Sequence, residues 1–101
     1  MSEQRAWETE GVALLERANN AWRVGKVHEA EKLYGEVVDQ YPDRPEGYNK
    51  VGVIHAEMGR PRDAEQWFAQ ALVADPHFVP ALTNLGNILL ERGETDKALL
   101  Q

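Results

Sequence analysis

The sequence predicts an all-α fold in which antiparallel helical hairpins stack on one another. Three observations predict it. A 34-residue period runs through the chain, carried by Gly25, Gly59 and Gly93 and by Ala30, Ala64 and Ala98. The pairs Tyr34 with Phe68, Pro42 with Pro76 and Gly52 with Gly86 keep the same period, as does the series Leu14, Tyr48 and Leu82. Apolar residues recur at helical spacing, and no stretch alternates with period two, so strands are not expected. A fixed period means stacked copies of one small unit rather than a single irregular core.

The elements follow in order. Trp7, Leu14, Ala18 and Ala21 lie on one face of a first helix that starts at Glu3 or Glu8 and ends at Val24. Gly25 follows it as a C-terminal cap, where glycine takes a left-handed conformation at little cost. Leu33, Tyr34, Val37, Val38 and Tyr41 mark a second helix over 27–40, stopped by Pro42. A third helix is predicted over 45–58. Asp43 and Glu46 stand at capping-box spacing before it, with Pro45 leaving the cap position open by a residue. Gly59 ends that helix, and Pro61 opens a fourth over 61–74, marked by Trp67, Phe68, Ala71 and Leu72. Leu82, Leu85 and Leu89 mark a fifth over 79–92. After Gly93 a sixth helix is expected to begin near Thr95. Short connections require neighbouring helices to pack antiparallel.

The chain thus divides into an extension at 1–10, a first unit at 11–44, a second at 45–78 and a shortened third at 79–101. This makes one domain of about 2.7 units. Small residues at Ala18, Gly52 and Gly86 and at Ala30, Ala64 and Ala98 let paired helices approach closely. Glycine inside a helix costs about 0.5–1 kcal/mol relative to alanine, so its reuse implies a packing gain. Tyr34 and Phe68 are expected to fill the space between units. Trp7 is expected to act as a partial cap at the N-terminal edge. The third unit has no complete second helix, so Leu85, Leu89, Leu99 and Leu100 are expected to be only partly covered.

These residues resemble the tetratricopeptide repeat family. Tyr48-Asn49-Lys50-Val51-Gly52 and Leu82-Thr83-Asn84-Leu85-Gly86 are similar to the family's aromatic-x-x-leucine-glycine opening. Gly59 to Ala64 and Gly93 to Ala98 are similar to its turn and second-helix start, and Phe68 to Pro76 to its close. The first unit departs most, with Arg17 where Val51 and Leu85 stand later. Ala21 and His55 occupy a place often given to an aromatic. The resemblance implies a right-handed superhelix whose first helices line a concave groove that binds another protein or peptide, without catalysis.

Carried over residue by residue, the implied groove comprises Asn19, Trp22 and Arg23 in the first unit. The second unit supplies Asn49, Lys50 and Val53, and the third Thr83, Asn84 and Asn87. A carboxamide both donates and accepts, which suits a peptide backbone. Asparagine-lined grooves recur in relatives that bind extended segments, including those attached to glycosyltransferase domains. Relatives that clamp a chaperone's carboxylate tail use a different set. Leu15, Asn19, Lys50, Pro80 and Asn84 stand at those places here, and of these only Asn19 matches. Two alternatives accompany this reading: a substrate-recruiting segment of a larger enzyme, and a scaffold that self-associates through the incomplete third unit.

Composition narrows the partner class. The net charge is −6, which argues against nucleic acid and anionic membrane as partners. No basic run and no apolar run of spanning length occurs. The absence of cysteine excludes thiolate chemistry and fits a reducing cytoplasm. His28, His55 and His77 do not share a helix at ligand spacing, and Ser2 is the only serine. No catalytic residue, metal or cofactor is therefore expected.

Overall fold

The computed structural model describes residues 2–99. All regular structure among them is helical. A short α1 (Glu3–Ala6) leads through a π-helical turn (Trp7–Gly11) into α2 (Val12–Arg23). Then come α3 (Val27–Gln40), α4 (Pro45–Glu57), α5 (Pro61–Ala74) and α6 (Val79–Leu99). The stack is elongated, measuring 58 × 30 × 16 Å. The helices α2 and α3 form the first hairpin, α4 and α5 the second, and α6 packs on α5 and α4.

Both hairpin turns are built alike. Gly25 and Gly59 adopt φ of 85° and 76°, the left-handed region that side chains resist. The Lys26 amide then donates to the Ala21 carbonyl, and the Arg60 amide to the His55 carbonyl, each at 2.8 Å. This is the six-to-one closure of a Schellman turn. At the start of α4 the cap is Arg44, not Asp43, and no side chain caps the helix. Pro45 occupies the first helical turn and drives the preceding residue to extended geometry, φ −108° and ψ 136°.

Small residues set the helix contacts. Ala18, Ala30, Ala64, Ala71 and Ala81 are fully buried. Tyr34 and Phe68 are the largest fully buried side chains. Tyr34 joins Ala18, Ala21, Ala30, Leu33 and Ile54 in one cluster, while Phe68 joins Ala64 and Ile88 in a second. Each cluster crosses from one unit into the next, which is how the stack coheres. A Cβ added at Gly52 would lie 2.5 Å from Phe68 Cε1, so this glycine admits the ring.

The third unit departs from expectation. The turn predicted at Gly93 is absent, and α6 runs unbroken from Val79 to Leu99. Continuing the helix instead satisfies the carbonyls before Gly93 within the helix itself. Gly86, the counterpart of Gly52, faces open space: a methyl group added there would meet no atom within 4 Å. The side chains of Ala98, Leu99 and Leu100 lie outside the described residues.

At the opposite edge, Trp7 is buried and meets Tyr41 edge-on, with ring centroids 5.2 Å apart. The Arg44 guanidinium sits 4.7 Å above the Trp7 ring. A Cβ at Gly11 would collide with Trp7 Cε3, so the indole folds back over its own helix. Trp7 thus packs at the junction of α3 and α4.

Candidate protein-binding groove

The helices α4 and α6 are the first helices of consecutive units, and a shallow pocket of about 290 Å³ opens between them. Val53, Ala56 and Glu57 line it from α4, and Asn84, Asn87, Ile88 and Glu91 from α6, with Phe68 of α5 also contributing. Residues 53, 56 and 57 share one face of α4 because helical neighbours recur every three to four positions. The same spacing aligns 84, 87, 88 and 91 on α6. Phe68 and Ile88 are buried, while Glu57, Asn87 and Glu91 are exposed. The pocket therefore has an apolar interior with amide and carboxylate groups around it.

One turn toward the helix N-termini, Asn84 Nδ2 donates to Asn49 Oδ1 at 3.1 Å. Asn49 is buried, so this bond satisfies a polar group that water does not reach. It also fixes the relative position of the two helices above the pocket. Asn84 keeps its own carbonyl oxygen as an acceptor at the pocket.

The nine residues implied by the family resemblance separate into distinct environments. Val53, Asn84 and Asn87 come together in this pocket. Asn49 lies beside it, bonded to Asn84. Lys50 is half-buried on α4 and Thr83 is exposed on α6. In the first unit, Asn19 accepts a hydrogen bond from the Tyr34 hydroxyl across the hairpin. Trp22 packs against the core cluster of that hairpin. Arg23 is exposed, and its Nη2 donates to Asn20 Oδ1 at 2.6 Å. Burial raises the Tyr34 pKa to about 12, so its hydroxyl stays protonated and able to donate.

Sequence reasoning does not single out Ala56, Glu57, Phe68, Ile88 or Glu91 as pocket residues. A signal exists for two of them. Glu91 follows Glu57 by one 34-residue period, and each lies four residues beyond a residue already placed in the groove, Val53 or Asn87. Phe68 is core, as its period predicts; its contribution to the pocket depends on the close approach that Gly52 permits.

Among the described residues, no three His, Asp or Glu side chains converge as a metal site. No described helix is long and apolar enough to cross a membrane. His55 stacks on Trp67, with rings 6.3 Å apart and 9° from parallel, a packing role between α4 and α5.

A stack of helical hairpins repeating every 34 residues, with paired small positions and glycine turns, defines a helical repeat protein. Family models of the tetratricopeptide repeat match residues 15–77 and 55–100. The chain belongs to the tetratricopeptide repeat family. It is also similar to the Tetratricopeptide repeat and J domain-containing co-chaperone DNJ1 of Cryptococcus neoformans var. grubii serotype A, with 31% identity over 85 residues. That alignment covers 84% of this chain and 16% of the relative, so the chain spans about a sixth of that protein's length.

Proposed function

We propose that this chain is a non-catalytic module that holds an extended protein or peptide segment against the face formed by α2, α4 and α6. The observation that carries this reading is the pocket between α4 and α6, where the accessible apolar surface of Val53 and Ala56 is combined with the carboxamides of Asn84 and Asn87. Apolar surface supplies affinity, and amides recognise a backbone without requiring a particular side chain. Family membership supports a protein partner, and the co-chaperone relative is an instance of such repeats within a larger protein that also carries a J domain. A cysteine-free chain suits a reducing compartment such as the cytoplasm.

The test is selection of a random peptide display library on the intact chain, followed by binding to two variants. Asn87→Arg places a bulky cation in the pocket, whereas Gln70→Arg makes the same change on exposed α5 surface. Loss of binding in the first and retention in the second supports the groove. Equal retention in both places the ligand elsewhere.

A second reading, self-association, is favoured by one specific feature. Leu82 and Leu89 are about half exposed on α6. Their counterparts one period earlier, Tyr48 and His55, pair with Trp67 of α5. A second copy covering this leucine face would give a concentration-dependent mass in static light scattering, and a constant monomer mass would exclude it.

A further inference from the structure

We infer that the pocket between α4 and α6 takes a lysine or arginine side chain of the bound segment, an assignment that rests on the groove reading above. Four observations point to a cationic occupant. The pocket lining contains two carboxylates, Glu57 and Glu91, and no basic residue. Both glutamates are exposed. Among the described residues, the ion pairs that reach the second or third unit are Arg44 with Glu46 and Arg92 with Glu65, and neither involves Glu57 or Glu91. One N–H of the Asn84 amide is committed to Asn49, and the Asn84 carbonyl oxygen remains as a further acceptor.

An occupant must match both parts of this lining. Lysine and arginine carry a hydrocarbon stem that lies along apolar surface and a charged head that only donates. The stem would lie chiefly against Val53 and Ala56, the accessible apolar part of the lining, and the head would meet the carboxylates and the Asn84 carbonyl. An acidic side chain would face two like charges, and a purely apolar one would gain nothing from the carboxylates. The acidic character is local, because the same register in the first unit is held by Arg23, one period before Glu57. A bound segment would therefore carry its basic residue over the second and third units.

The peptide display selection tests this directly. The selected pool should be enriched in lysine and arginine. The affinity of a leading synthetic peptide should fall about tenfold, equivalent to about 1.4 kcal/mol, in the Glu57→Gln, Glu91→Gln double variant. Replacing the peptide's basic residue by glutamine should remove the difference between that variant and the unaltered chain. A second double variant, Glu31→Gln with Asp39→Asn, makes the same change of net charge on α3 and should bind as the unaltered chain does. Equal weakening by both double variants would overturn the inference in favour of bulk charge attraction. Binding with no basic enrichment, confined to the groove by Asn87→Arg, would overturn the inference and leave the groove standing. Failure to select any peptide would contradict both.

Discussion

The Asn84 side chain donates to the Asn49 carbonyl at 3.1 Å, joining the first helices of two consecutive units through a pair of carboxamides. Asn49 is only 6% exposed, so its partner cannot be replaced by water without rearrangement. Asparagines one turn apart on the same helix thus have different duties. Asn84 ties α6 to α4, and Asn87 is exposed at the pocket.

That division predicts unequal costs. Asn84→Ala strands a buried carbonyl and should lower stability by about 1–3 kcal/mol. Asn87→Ala, at an exposed position, should change stability by less than about 0.5 kcal/mol. Urea denaturation of both variants checks this, and equal losses would mean that the pairing does not matter.

Gly52 and Gly86 stand one period apart and should respond to alanine with opposite signs. At Gly52 the new methyl would lie 2.5 Å from Phe68 Cε1. Overpacking of this kind costs about 1–3 kcal/mol. At Gly86 nothing lies within 4 Å, so alanine should stabilise by up to about 1 kcal/mol through helix propensity. Thermal denaturation of the two variants gives the signs. Phe68→Ala, which empties the space that Gly52 opens, should cost about 3–5 kcal/mol.

Gly59 and Gly93 make a second contrast. Gly59 adopts φ of 76° in the hairpin turn, whereas Gly93 lies within α6 without a left-handed φ. Gly59→Ala should cost about 1–2 kcal/mol. Gly93→Ala should be neutral or stabilising by up to about 1 kcal/mol, because it favours the helix that is already there. Loss of stability at Gly93 would indicate that a turn forms there in solution.

These pairs show what is legible in the sequence. The period locates the end of α2, both ends of α3, α4 and α5, and the start of α6 within a residue or two, because a glycine or proline stands near each of these boundaries and its backbone preference acts locally. It does not reveal that α6 continues past Gly93. A glycine at a turn position permits the left-handed conformation without enforcing it, and Gly93 is helical within α6. The π-helical turn at Trp7–Gly11 is also hidden, as are the contacts of its Trp7 indole with Tyr41 and Arg44, residues more than 30 positions away. In the groove, residue type identifies carboxamides but not their partners. Asn19 and Asn49 match Asn87 in chemistry, and only their bonds to Tyr34 and Asn84 set them apart.

Tyr34 predicts an alkaline transition. Its folded pKa is about 12, raised by burial from the ordinary tyrosine value of 10.0. Below pH 10 both folded and unfolded chains keep this proton, and its contribution to stability is fully present. Above pH 10 the unfolded chain loses the proton while the folded chain keeps it, so folding stability should fall as pH rises from 10 to 12. Denaturant titrations across that range should show the decline, and Tyr34→Phe should flatten it. An unchanged slope in Tyr34→Phe would assign the transition to other groups.

The central claim is that a bound segment lies between α4 and α6. Backbone amide chemical shifts, followed as a display-selected peptide is titrated into the labelled chain, test it most directly. The largest shifts should fall on Val53, Glu57, Asn84, Asn87 and Glu91, with little change at the exposed positions of α3 and α5. Shifts concentrated on α3 and α5, with those five amides unmoved, would contradict it.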